Sequence, residues 1–388
     1  NCRALKVSIH NTITAIEKAD WDAHHPGIFT LNYDFLKALE FSNSGDVEYR
    51  YLMISECGSP VGITVLTSFT LNLGLLQNDS SWLSFLMRFW PDLLNVRIAC
   101  CGIPASFSQS PFYFNPGTDT LKTISEISFI LDQFASETNS DVIIWKEFSA
   151  KIPFLLSLGY HEYPSIPDCH VDCDISSFNE FLQRIRSNYR RKFYTQDILN
   201  HSNVQISEAE FSKEHVENFY QGYLQVLERS TQKLETYSID FFYQLASLPE
   251  LRIRKLTIRH ENESISALIA KDHQALNFLL VSKVNTRYEL PLYNWMLQKM
   301  VRLGVSSKKS IVKLGQTSYY SKQAVGARLV DLHFYIKHTN KLKDHLLQSV
   351  GSWLFPKPVI TPLNTSTSVV RNDLQSTLSD TDKNHGNY

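Results

Sequence analysis

The segment Leu314-Gly315-Gln316-Thr317-Ser318-Tyr319-Tyr320-Ser321-Lys322 brings amide, hydroxyl, phenol and amine groups together with no carboxylate among them. Gln316 both donates and accepts, Tyr319 and Tyr320 can hand a phenolic proton to a leaving thiolate, and Lys322 can pair an anion. A strand expected over Ser310 to Leu314 ends where this segment begins, and ligand crevices open at such C-terminal strand ends in α/β sheets. The competing reading is a turn whose tyrosines cap a helix and pack. Glu228, beside Arg229 on a helix expected over Ser212 to Arg229, offers a carboxylate as general base, although paired charges on helices are usually surface features.

Phosphate has two candidate places. Asn285, Arg287 and Tyr288 precede Pro291 at the start of a helix that follows a strand, where unpaired N–H groups and the positive dipole end hold anions. Against this, the loop has no glycine, Pro291 removes a donor and Glu289 puts a carboxylate where the anion would sit. Gly315 and Gln316 face the same crevice, and Tyr293 opens the helix. The second place is the basic run Arg184, Arg186, Arg190, Arg191 and Lys192, with Arg186 and Arg190 one turn apart. Arginine forks grip phosphate at two points, so Arg186, Arg190 and Arg229 are the expected substrate contacts. His24, His25 and the Cys100-Cys101 pair lack partners at metal spacing, and no metal site is expected. No GxSxG, Walker or Rossmann signature is present.

These residues need a scaffold, and the order of elements supplies one because it occurs twice. Tyr49 to Glu56 and Val61 to Phe69 read as strands around Gly58-Ser59-Pro60, as do Leu251 to Arg259 and Ile265 to Lys271 around His260 to Glu263. Further strands follow at Val96 to Cys101 and Leu276 to Val284. Each half then gives a helix (Leu121 to Glu137; Leu292 to Leu303) and a strand (Val142 to Glu147; Ser310 to Leu314). A short helix stopped by Gly159 or Gly326 comes next, and a last strand near Cys169 to Cys173 or over Leu332 to Lys337. A strand, a long helix and a strand form a crossover, so the flanking strands are expected to be parallel and the sheet mixed. One amphipathic helix is expected over Phe178 to Leu199 and another over Ile239 to Leu248.

With 388 residues, 43% of them hydrophobic, the chain can build two cores. The expected division is 1–167, 168–345 and a tail over 346–388, disordered after Pro356 because Ser, Thr, Asn and Asp dominate it. The 38 basic and 39 acidic residues nearly cancel, so no global field draws the chain to DNA or to an anionic membrane. Trp82 to Leu94 is too short to span a bilayer. The six cysteines follow neither zinc spacing nor a disulfide framework and read as buried thiols of a cytoplasmic protein. A chain that begins at Asn1 rather than methionine reads as a processed or excised piece.

The stretch Leu276 to His338 resembles the C-terminal domain of the FemAB-like proteins, peptidoglycan biosynthesis or recognition members of the GCN5-related N-acetyltransferase (GNAT) superfamily. The likeness rests on Leu290-Pro291-Leu292-Tyr293, Lys313-Leu314-Gly315-Gln316-Thr317 and Lys322-Gln323-Ala324-Val325-Gly326-Ala327, and more weakly on Arg186 to Lys192, Arg229 to Phe242 and Cys101-Gly102-Ile103-Pro104. It covers about Val7 to Asn340 and implies an α/β, mixed-sheet fold of two tandem GNAT-like domains. It further implies an N-acyltransferase taking a coenzyme A thioester, or an acyl group on a carrier protein, to an amine. An aminoacyl-tRNA-dependent transferase and a non-catalytic GNAT-fold binding module are the alternatives. The Gln/Arg-x-x-Gly-x-Gly/Ala loop of ordinary GNATs is absent at Asn285 to Glu289, which leaves the donor open.

Overall fold

The computed structural model describes residues 5–24, 28–42, 47–72, 95–194, 204–229, 236–248, 251–272, 274–284 and 291–365. In chain order the first half gives β1 (Leu5–His10), α1 (Lys18–Asp22), α2 (Tyr33–Ser42), β2 (Glu48–Glu56), β3 (Ser59–Asn72), β4 (Asn95–Cys101), β5 (Phe112–Phe114), α3 (Thr120–Glu137), β6 (Val142–Phe148), α4 (Phe154–Ser157) and β7 (His161–Asp172). There follow α5 (Phe178–Arg184), α6 (Ser187–Tyr194), β8 (Val204–Glu210), α7 (Val216–Arg229), α8 (Ile239–Ala246), β9 (Arg254–His260), β10 (Glu263–Lys271) and β11 (Ala275–Val284). The chain closes with α9 (Leu292–Ser306), β12 (Ile311–Lys313), α10 (Tyr319–Ala324), β13 (Arg328–His338) and α11 (Lys341–Leu354).

Two compact units result, and they interleave in sequence. The first takes 1–167, 210–254 and 331–358; the second takes 168–209, 255–330 and 359–388. A division that follows the chain, 1–167 then 168–345, therefore differs from the compact units over 210–254 and 331–358. In the first unit the strand order is β1-β2-β3-β4-β6-β13, with β5 beside β3; in the second it is β7-β12-β11-β10-β9-β8. The expected crossovers are present: β4 runs parallel to β6 across α3, and β11 parallel to β12 across α9. Hairpins β2–β3 and β10–β11 are antiparallel, so the strand pairing in each unit is mixed.

The closing strands take partners that the order of elements did not name. The strand near Cys169 to Cys173 pairs with β12, through Ile311 opposite Asp172 and Lys313 opposite His170. The strand over Leu332 to Lys337 pairs with β6, through His338 opposite Val142 and Ile336 opposite Ile144. Each half thus ends in a strand that completes the sheet of the other. Nothing in either strand's own pattern names its partner, and tertiary packing selects it.

Each core follows from helical spacing. On α3, Ile124, Ile127, Leu131 and Phe134 recur on one face and pack on Ile143 and Trp145 of β6. On α9, Leu292, Trp295, Met296, Met300 and Val301 pack on Leu276, Val312 and Leu314. Full burial of each such side chain is worth roughly 1.5–3 kcal/mol. The short helices α4 and α10 stop at Gly159 (φ +86) and Gly326 (φ +102), the left-handed positions expected of them.

Two further expectations change. The helix over Phe178 to Leu199 breaks at Ile185, which is extended (φ −91, ψ 133), and residues 195–199 lie outside the described residues. The cause is distant in sequence: the N–H of Arg186 donates to the carbonyl of Thr365 at 2.8 Å, a bond that a continuous helix would forbid. The same bond corrects the tail. α11 continues through Leu354, and Leu363 N–H donates to Gln323 Oε1 at 2.8 Å while Gln323 Nε2 donates to the Thr361 carbonyl at 3.3 Å. Residues 361–365 are thereby pinned to the second unit, with Thr365 buried; 366–388 lie outside the described residues.

Packing of α9 on β12 requires a residue without a side chain at 304. A Cβ there would stand 2.2 Å from Cγ2 of Val312 and 3.3 Å from Sγ of Cys173. Gly304→Ala is expected to cost about 2 kcal/mol by overpacking, and clearly less in a Val312→Ala background. Urea unfolding of the four variants checks this; equal costs in both backgrounds would show that the two positions do not press on each other.

Candidate functional site

In the second unit β11 and β12 run side by side over only three residue pairs, Ala275 with Ile311, Leu276 with Val312 and Asn277 with Lys313. Beyond Asn277 the strands part. β11 carries on to Val284, and its pairing with β10 skips Leu279, since Leu280 faces Leu268 while Phe278 faces Ile269. A bulge of this kind re-aims backbone groups, and it falls at the point of parting. The other chain turns away: Leu314 N–H donates to the Cys169 carbonyl at 2.8 Å, and Gly315 (φ +77), Thr317 (φ +62) and Ser318 (φ +49) are left-handed.

Lys322 holds this turn. Its ammonium donates to the Gly315 carbonyl at 3.0 Å and also to the Gln316 carbonyl. The side chain is 3% exposed, and burial pulls its pKa down from 10.5 to about 8, with Cys169 and Asp168 acting in the opposite sense. Burial likewise pushes Tyr319 up to about 12, moderated by a backbone hydrogen bond from Thr317. Tyr293, in the first turn of α9, is raised by burial and hydrogen-bonded by the Ser318 side chain, so the two lips of the crevice touch there.

Three further features were not read from the sequence. On β7, Asp168 is buried and accepts from Nε2 of His170 at 2.7 Å. The pair alternates with the core residues Cys169 and Val171, as i and i+2 of a strand must. The aspartate fixes the ring orientation and leaves Nδ1 as the other nitrogen. The start of α9 has no side-chain cap and no acid in its first turn, and Lys283 Nζ lies 5.0 Å from the Tyr293 ring. An aspartate two residues before a histidine in an expected strand was the available signal for the pair.

The corresponding place in the first unit is filled. After β4 the chain turns at Gly102 (φ +122), and Lys146 Nζ donates to the carbonyls of Pro104 at 3.0 Å and Ala105 at 2.7 Å. Ser106 donates to the buried Glu147, and the space left over is about 10 Å³, room for one water at most. Asp119 caps α3 by accepting from the Lys122 N–H at 3.2 Å, placing a carboxylate where an anion would bind.

Among the sequence-derived candidates, Gly315, Gln316, Tyr319, Lys322 and Tyr293 come together around this crevice. Tyr320 is exposed and accepts from Lys192 Nζ at 3.3 Å. Arg190 Nη1 donates to the Leu182 carbonyl at 3.2 Å, and the N–H of Arg190 donates to the Arg186 carbonyl. Glu228 and Arg229 are exposed at the end of α7, in the first unit. Asn285, Arg287 and Tyr288 lie outside the described residues. Among the described residues no group of three His, Cys, Asp or Glu could hold a metal, and no helix is long and apolar enough to cross a membrane. Cys100, Cys101, Cys169 and Cys173 are buried and Cys57 is exposed, none of them in a disulfide.

No family profile matches the chain. A protein of Mycobacterium tuberculosis called "Putative 8-amino-7-oxononanoate synthase 2" is 22% identical over 327 residues, covering 80% of this chain and 42% of its own length. The chain therefore spans less than half of that relative. Among solved structures, FemX aligns with a TM-score of 0.56 at 11% identity over 89% of this chain and 99% of its own. A tandem GNAT protein from the clavulanic acid biosynthesis pathway aligns with a TM-score of 0.49 at 10% identity, over 87% of this chain and 99% of its own. The fold is thus a mixed α/β arrangement of the FemX kind.

Burial of Lys322 has a measurable consequence. Unfolded, the amine keeps its proton to about pH 10.5, whereas folded it releases it near pH 8. Between those values the unfolded chain binds more protons, so stability rises with pH, by roughly 3 kcal/mol in all. Measured against Lys322→Met, the wild-type protein should gain stability from pH 8 to pH 10; parallel stability curves for the two would show that the amine is not desolvated.

Proposed function

Starting from a tandem GNAT fold of the FemX kind, we propose that this chain is an N-acyltransferase that moves an acyl group from a coenzyme A or carrier-protein thioester to an amine. The observation that carries the reading is the parting of β11 and β12 after three residue pairs, at a backbone bulge and beside a buried amine. A thioester arm fits between separating strands, where its carbonyl would meet backbone donors rather than another strand. The start of α9, uncapped and flanked by Lys283, suits the phosphates of the donor, with Asn285, Arg287 and Tyr288 as proposed additional contacts. Donor entry would displace the contact between Tyr293 and Ser318.

In this reading the amine nitrogen bonds to the carbonyl carbon and the carbon–sulfur bond breaks. The amine proton goes to Nδ1 of His170, oriented by Asp168, and from there to solvent, while the departing thiolate takes a proton from Tyr319, which regains one from solvent. Lys322 fixes the carbonyls of Gly315 and Gln316 and thereby the lip of the site. Arg186, Arg190 and Tyr320 are proposed acceptor-side contacts. A second reading, with aminoacyl-tRNA as donor, is favoured by exposed Arg191 and Lys192 on α6; it would show as binding of tRNA that weakens steeply with salt.

Calorimetric titration with acetyl-CoA and longer acyl-CoAs, followed by a screen of amine acceptors, tests the proposal. His170→Ala is expected to lower kcat/KM by about 10²-fold or more, and Tyr293→Phe to tighten donor binding severalfold by removing the contact with Ser318. If no acyl-CoA or acyl carrier protein binds and no amine is acylated, the proposal fails.

A further inference from the structure

α11 is held to the first unit by one narrow face. Asp344 accepts from the His338 N–H at 2.7 Å and meets His161 Nε2 at 3.2 Å, and Tyr163 donates to the Leu347 carbonyl at 3.2 Å. Gly351 lies so close to Tyr163 that a Cβ there would stand 1.9 Å from its hydroxyl. Phe355, just past the helix, packs on Tyr163 and Phe334. These positions recur as i, i+3, i+7 and i+11, a single stripe of the helix.

The opposite stripe is open and, apart from Ser349, apolar. Leu342 is 84% exposed, Leu346 61% and Trp353 69%. At 100° per residue Leu342, Trp353 and Leu346 fall within a narrow arc, on the far side from Asp344, Leu347 and Gly351. Single exposed leucines are ordinary, but an aligned Leu-Leu-Trp row on one helix is not. The charges beside it share one sign. Lys341, Lys343 and His345 are exposed, while the helix has one acid, Asp344, and its carboxylate is turned inward onto His338 and His161. Asn340 caps the helix by accepting from the N–H groups of Leu342 and Lys343 at 3.0 and 3.2 Å, so its first turn is formed where the row begins.

We propose that α11 is an interfacial helix that lays its Leu342-Leu346-Trp353 row into the headgroup region of an anionic lipid surface. An apolar stripe bearing tryptophan, bordered by lysines and free of outward carboxylate, is what such a surface binds. A protein partner or a second copy would bury the apolar row equally well but would leave the one-signed border without its counterpart. The helix has 14 residues and is too short to span a bilayer, so it lies in the plane of the interface.

The test is co-flotation of the full chain with vesicles of phosphatidylcholine alone and of phosphatidylcholine with one-third phosphatidylglycerol. Binding to the anionic vesicles is expected to exceed binding to the neutral ones by at least tenfold and to weaken with salt. A Leu342→Gln, Leu346→Gln, Trp353→Gln triple variant should lose at least tenfold, and Lys341→Gln with Lys343→Gln should lose the preference for anionic lipid while keeping an unchanged circular dichroism melt. Absence of vesicle binding, or equal binding by the wild type and the triple variant, overturns the proposal. So does a wild-type dimer in light scattering that the triple variant converts to monomer, since the row would then be an interface between copies.

Discussion

One desolvated ammonium keeps the second sheet open. β12 has the residue types to continue alongside β11, and continued pairing would seal the crevice. Instead the chain after Lys313 adopts three left-handed residues, two of them not glycine, at a cost of order 1 kcal/mol or more each. The hydrogen bonds from the Lys322 amine to the carbonyls of Gly315 and Gln316 hold the chain in that turn. The same desolvation that lowers the pKa of the amine therefore shapes the backbone around it.

The first unit uses the same device to the opposite end. There Lys146, from β6, grips the carbonyls of Pro104 and Ala105 and draws the loop after β4 into the space between strands. Glu147 and Ser106 fill what remains, and Asp119 occupies the helix start. Two sheets with one order of elements are thus closed and open according to where a lysine is placed: on the strand beside the gap, or on the short helix beyond it.

Much of this was legible in the sequence. The helices at 121–137 and 292–303, the strands flanking them and the two glycine stops at Gly159 and Gly326 were all set by periodicity and turn chemistry, which are local. What escaped was non-local. The break at Ile185 depends on Thr365, far away in the chain, and the docking of 361–365 depends on Gln323. No composition rule finds such pairs, because a polar segment reads as disordered until its partners are known. At the site, the polar cluster after Leu314 stood out because it lacked acids, and it does gather around Lys322. The Asp168–His170 pair was hidden because the strand expected near Cys169 to Cys173 left out Asp168, and strand register decides which side chains face a crevice. Tyr320, Glu228 and Arg229 carried the right chemistry, but all three are exposed.

The reciprocal closing strands set an order of events during synthesis. While the ribosome has delivered only the first half, β6 presents Val142–Phe148 as a bare edge, and its neighbour β13 emerges only when His338 has left the exit tunnel. A nascent chain therefore carries one unpaired edge of β6, the other being held by β4, through nearly two hundred codons of translation. Neither half, cut at the middle of the chain, contains every strand of its own sheet, so β6 and β12 each take a neighbour from the other half.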